Sequence, residues 1–231
     1  MPKPYAGNKD SRHIIPSPFA PLARPRLGAH IACIASLGGA LERALGGILG
    51  DIMETHSEQA LAMYLALSGS QARKSALLAA ARLRLTEDDQ AELVKLYKKI
   101  FKSTGGRNNV VHGAWAVSDD YPNALLLCDT TGYVQYEAAI FDVVRLQLSG
   151  DESTLLKRGE ESVSKFNALP PPQYEVYEQQ DLKDIAVKLT KTLNLLNAFR
   201  QKLHSKYRWR SPALQPHPEG SRRRKTKSEA P

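Results

Sequence analysis

Residues 105–115 read GGRNNVVHGAW, and they stand where the chain changes character. Upstream, apolar residues recur at three- and four-residue steps, the mark of helices; downstream they alternate, the mark of strands. Gly105-Gly106 is expected to break or kink the helix before it, leaving Arg107 to His112 as a short helix that Gly113 ends. Each residue of a helix turns by about 100°, so Arg107 and His112 sit about 140° apart. Asn108 and Asn109, four and three residues before His112, share its face, so one Asn can orient the imidazole. Val110 and Val111 are left for the core.

Working outward, Ile31, Ile34, Leu37 or Gly38, Leu41, Leu45, Ile48, Leu49 and Ile52 predict one long helix beginning near Ala29. Gly38-Gly39 and Gly46-Gly47 weaken it by roughly 1 kcal/mol per glycine. They imply close approach of another backbone, from a neighbouring helix or a second copy of the chain. Shorter helices follow over about Ser57–Leu67 and Gln71–Leu85, the latter with Leu77, Leu78, Ala81 and Leu85 inward. Thr86 caps the next helix, Asp88 and Asp89 favour its positive end, and Leu93, Leu96, Tyr97 and Ile100 form its buried stripe.

Beyond the quoted stretch, Ala114–Val117 and Ala124–Cys128 predict two strands around the turn SDDYPN, with a third over Tyr133–Tyr136. A helix over Ala138–Leu148 comes next, then a loop over 149–172 with a helical piece near 153–166. Gln173–Tyr177 is strand-like. Asp181 then caps a long helix, Leu182 to about Leu203, with Ile185, Leu189, Leu193, Leu196 and Phe199 on its inner face. The expected fold class is mainly α: a helical bundle with a small β-hairpin after residues 107–112, a β insertion over about 114–136, and a long C-terminal helix.

The net charge of +8 is unevenly placed. Residues 1–28 carry five Lys/Arg against one Asp, and residues 205–231 carry eight against two Glu; the stretch between is slightly acidic. The expected organisation is a proline-rich, basic, disordered segment over 1–28, one domain over 29–204 and a basic disordered tail over 205–231. Such tails hold polyanions by counterion release, or are simply solvated ends. Two cysteines, Cys33 and Cys128, make neither a disulfide framework nor a metal cluster, which suits a reducing cytoplasm. The apolar stretch His30–Ile52 is interrupted by Glu42-Arg43 and reads as a buried helix, with no membrane role.

No P-loop and no Cys/His zinc spacing occurs, and no carboxylate cluster suited to magnesium stands near Arg107. An imidazole exchanges protons near neutrality, and a guanidinium offers a planar fork to phosphate oxygens. Together they are the minimum for phosphodiester chemistry without metal, provided the substrate supplies its own nucleophile; in RNA that is the 2′-hydroxyl. The same two residues also fit a structural role, His112 at a helix C-terminus and Arg107 in a surface ion pair.

Arg107-Asn108-Asn109-Val110-Val111-His112, followed by Gly113 and Trp115, resembles the signature of the HEPN family, in which an Arg and a His stand a few residues apart and a polar residue follows the Arg. The resemblance spans about Ala29–Leu203. It implies a bundle of helices with the motif near the start of a late helix, and, in similar bacterial proteins, a short β-hairpin and a final helix after it. It further implies a metal-independent endoribonuclease without cofactor, of the kind found in toxin–antitoxin, phage-defence and RNA-processing systems. Such enzymes act as homodimers whose two motifs face one cleft, so each chain could bring its Arg107 to the other's His112. On that likeness His112 is the general acid/base, Arg107 neutralises the transition-state phosphate and Asn108 orients the site. Asn109 and Glu42 are the expected substrate-binding side chains. RNA is then substrate or ligand, and an antitoxin-like protein a partner. Other family members are non-catalytic and bind nucleotides or RNA, or serve dimerisation, and that is the alternative for this chain.

Overall fold

The structure, a computed structural model, describes residues 1–6, 14–128, 130–148, 159–161, 164 and 172–207. Its centre is α2, Pro25–Met53, whose first-turn proline lacks only an N–H that a helix start leaves unpaired anyway. Ile34, Leu41, Leu45, Ile48, Leu49 and Ile52 are buried along it at the expected spacing. Around it pack α3 (Ser57–Ala66), α4 (Ser70–Arg84), α5 (Glu87–His112) and the C-terminal α7 (Gln179–Tyr207). By length and composition α2 could cross a membrane, but here its apolar side chains form the middle of this bundle.

The α2 glycines admit two kinds of neighbour. At Gly46 and Gly50 the close approach is to α3, where a Cβ would come within 2.7 Å of Leu61 and 3.0 Å of Ala60. At Gly38 and Gly47 the neighbours are arginine side chains, Arg107 and Arg200, and not another backbone. The Gly47 space lets Arg200 grip Asp51 through Nε and, at 3.0 Å, Nη2; His204 adds a third contact at 2.9 Å.

Beside the bundle lies a five-stranded antiparallel sheet in the order β1-β5-β4-β3-β2. β3 (Ala114–Ser118) and β4 (Leu125–Cys128) form the expected hairpin, and β5 (Tyr174–Tyr177) pairs with β4. The alternation of a strand divides its faces. Trp115, Leu125, Leu127 and Tyr177 join the helical core, while Ala116, Leu126, Cys128, Tyr174 and Val176 form a second cluster behind.

Three expectations are corrected. The N-terminal segment is not unstructured throughout: β1 (Lys3–Pro4) pairs with β5, β2 (Ile14–Pro16) pairs with β3, and a short α1 (Ala20–Ala23) leads into α2. Proline forfeits a ladder hydrogen bond only where that N–H has a partner, so the outer edges of a sheet accept it. The proposed strand over Tyr133–Tyr136 is part of α6, Thr130–Leu148. Its tyrosines suit strands by composition, but the Tyr133 hydroxyl bonds Glu137 one turn on; that bond first, and burial second, pushes the phenol up to about 12. Finally, α7 runs to Tyr207, past the expected domain end at 204. The 208–231 tail lies outside the described residues, as does most of 149–172; of the helical piece near 153–166, residues 159–161 and 164 are described and are helical.

Candidate active site

The helix that carries the site does not break. α5 continues through Ser103-Thr104-Gly105-Gly106, so Arg107 to His112 form its last turns and not a short helix of their own, nor the start of a late one. Ser103 and Thr104 donate their hydroxyls back to the Ile100 carbonyl, at 2.9 and 3.0 Å, without opening the helix. Burial of Ile100 on one side of the glycines and Val110 on the other outweighs a propensity cost of about 1 kcal/mol per glycine.

Gly113 ends α5, and its N–H still reaches the Asn109 carbonyl at 2.8 Å. Its backbone is extended, at φ −76°, so conformation is not why glycine stands there. Space is: a Cβ would fall 2.3 Å from the Leu127 side chain and 2.7 Å from the Asn109 oxygen. Two residues on, the Trp115 indole donates to the Val110 carbonyl at 3.1 Å and packs edge-on to Tyr177 at 5.5 Å. The helix end is thereby fixed to the sheet.

Arg107 and His112 open into different clefts. Arg107 lies across Gly38 of α2, where a Cβ would stand 2.5 Å from its Nε. Its Nη1 donates to Asn108 Oδ1 at 2.9 Å, while its buried Nε meets no hydrogen-bond acceptor among the described residues. The cleft there, about 120 Å³, is shared with Glu42, Tyr64, Arg73, Tyr97 and Asn108. Glu42 thus stands beside the motif, but its carboxylate pairs with Arg73 at 3.1 Å. Arg73 in turn donates to the Leu65 and Leu67 carbonyls at the end of α3. Burial, then the neighbouring Tyr97, holds the Tyr64 phenol well above its usual range; burial raises Tyr97 as well. Both hydroxyls therefore stay protonated.

His112 is exposed on the other side, in a cleft of about 470 Å³ shared with Asn108, Asn109, Leu127, Cys128, Gln173 and Glu175. Asn109 is exposed there on the imidazole's side, as the helical spacing requires. Asn108 borders both clefts, and its side-chain oxygen is turned to Arg107. Gln173 and Glu175 escaped the sequence reading because strand pairing brings them in from far along the chain, and no local pattern marks them. Among the described residues, no three His, Cys, Asp or Glu side chains gather as metal ligands would.

A second polar cluster lies at the opposite end of α5. Asp89, fully buried, accepts from Thr86, Lys206 and Tyr207 at 2.8, 2.6 and 2.7 Å and pairs with Lys202 at 2.8 Å. It ties α7 to the start of α5. No protein family, curated protein or solved structure matches this chain.

Proposed function

We propose that the chain is a HEPN-like, metal-independent endoribonuclease that acts as a dimer. The observation that carries the reading is the end of α5: an arginine without a carboxylate partner among the described residues, an exposed histidine, and an asparagine that borders both of their clefts. A guanidinium left unneutralised in a cleft suits a phosphate, and an exposed imidazole beside a roomy cleft suits proton transfer. Because the two side chains of one chain open to different clefts, the catalytic set is completed between two copies, with Arg107 of each serving His112 of the other. His112 then moves the proton, Arg107 balances charge gathering on the phosphate, and Asn108 keeps the guanidinium in place. A toxin or phage-defence setting, with an antitoxin-like partner, is the context that suits such an enzyme.

The same separation of Arg107 from His112 favours a second reading, a non-catalytic module that binds a nucleotide or RNA or mediates dimerisation. One experiment divides the two. Incubated with single-stranded RNA in EDTA, the purified chain is expected to leave 2′,3′-cyclic phosphate and 5′-hydroxyl ends, and to leave DNA of the same sequence intact. Intact RNA over a broad panel of sequences would leave the binding reading.

A further inference from the structure

We propose that Glu175 is the second acid–base group of the site, taking the proton of the 2′-hydroxyl while His112 protonates the leaving oxygen; this deepens the ribonuclease reading and rests on it. Both side chains line the same cleft. Their spacing follows from the sheet. His112 lies two residues before Ala114, which pairs with Cys128 on β4, and Glu175 on β5 stands opposite Leu127, the residue that Gly113 touches. Trp115 stands across Leu127 from Glu175, two strand spacings or about 10 Å away, and His112 lies three residues before Trp115, so the two groups reach the cleft from opposite sides of β4. A general acid and a general base must each come within about 3 Å of the oxygen they serve. A phosphodiester has its attacking and departing oxygens on opposite sides of phosphorus, which suits an acid and a base that enter one cleft from its two sides.

The carboxylate is also held, and among the described residues it has no cationic partner. Tyr174 and Val176 turn to the far cluster, so Glu175 faces the helical side, where it is exposed. The Tyr177 hydroxyl donates to its Oε2 at 3.4 Å, and Trp115 packs edge-on to the Tyr177 ring. The motif's own tryptophan is thus linked to the carboxylate through one aromatic ring. Its cross-strand neighbours are Pro4 and Leu127, and among the described residues no Lys, Arg or His forms an ion pair with it. Among the described residues, the titratable side chains facing this cleft are His112 and Glu175, with Tyr177 behind the carboxylate and the Cys128 thiol buried in the cluster on the far face.

In the step so assigned, the 2′-oxygen bonds to phosphorus as the bond from phosphorus to the 5′-oxygen breaks. The 2′-hydroxyl proton passes to Glu175, and the imidazolium proton of His112 passes to the departing 5′-oxygen. The products are a 2′,3′-cyclic phosphate and a 5′-hydroxyl, with no other reactant consumed.

The test compares pH–rate profiles for RNA cleavage by the wild-type chain, Glu175→Gln and Glu175→Asp. Glu175→Gln is expected to lower kcat about a hundredfold with little change in KM and to abolish the acidic limb of the profile. Glu175→Asp, a shorter base, should keep that limb at reduced rate. A Glu175→Gln chain that cleaves like the wild type, with the same profile, overturns the assignment and leaves the ribonuclease reading standing. A wild-type chain without cleavage overturns both. Should Glu175→Gln fail to fold, the Asp variant decides alone: an unaltered rate and profile there overturns the assignment.

Discussion

Replacing His112 with alanine is expected to slow RNA cleavage at least about a hundredfold, the scale of a lost acid–base catalyst. Stability should barely change. The imidazole is exposed, and substitutions at exposed positions usually cost within about 0.5 kcal/mol. The end of α5 is secured independently of it, by the Gly113 N–H on the Asn109 carbonyl and the Trp115 indole on the Val110 carbonyl. Initial rates on end-labelled single-stranded RNA, beside a thermal melt of the same preparation, separate the two effects. Undiminished cleavage by a pure His112→Ala preparation would remove the imidazole from the mechanism.

The second large effect is on stability. Asp89→Ala is expected to cost about 2–3 kcal/mol, the range for losing hydrogen bonds to a buried charged group. For a chain of this size that lowers Tm by roughly 5–10 °C. Asp89 is the junction at which the last turn of α7 meets the first turn of α5, so its loss also frees the C-terminal end of α7. The effect depends on pH with a definite sign. Burial opposes ionisation most strongly, yet the bonds from Lys202, Lys206, Tyr207 and Thr86 prevail and hold the carboxyl well below the usual carboxylate range. In the unfolded chain it returns to about 3.9. The contribution is therefore fully present above that value and is lost as the pH falls through the lower folded one. Denaturant melts from pH 6 down to pH 2 should fall more steeply for wild type than for Asp89→Asn; parallel curves would show that this carboxylate does not carry the acid limb.

Much of the helical frame was legible because burial leaves a periodic trace. The α5 stripe of Leu93, Leu96, Tyr97 and Ile100 is buried where its spacing puts it, and so is most of the α2 and α7 stripes, with Ile31, Leu37, Ile185 and Leu193 half-buried against the same core. What misled was punctuation. Gly105-Gly106 reads as a stop, but packing on both sides carries α5 through it. The N-terminal prolines read as disorder, but edge strands tolerate them. Of the candidate site, Arg107, Asn108, Asn109 and His112 stand out in the sequence as one local run, although the fold opens Arg107 and His112 into different clefts. That Gly38 seats Arg107, that Glu42 is engaged by Arg73, and that Glu175 shares the cleft of His112 were not legible there. Each depends on contacts between residues remote in sequence, and no single-chain pattern encodes them.

The central claim is that the active set forms between two copies, and a mixture of two inactive variants tests it most directly. Arg107→Ala and His112→Ala chains, each inactive alone, are unfolded together and refolded at equal amounts. If Arg107 of one chain serves His112 of the other, each mixed dimer holds one intact set and one doubly damaged set. Random pairing then restores about a quarter of wild-type RNA cleavage, as expected for an exchangeable symmetric pair. A mixture no more active than either variant, in a sample shown to contain mixed dimers, would contradict the account.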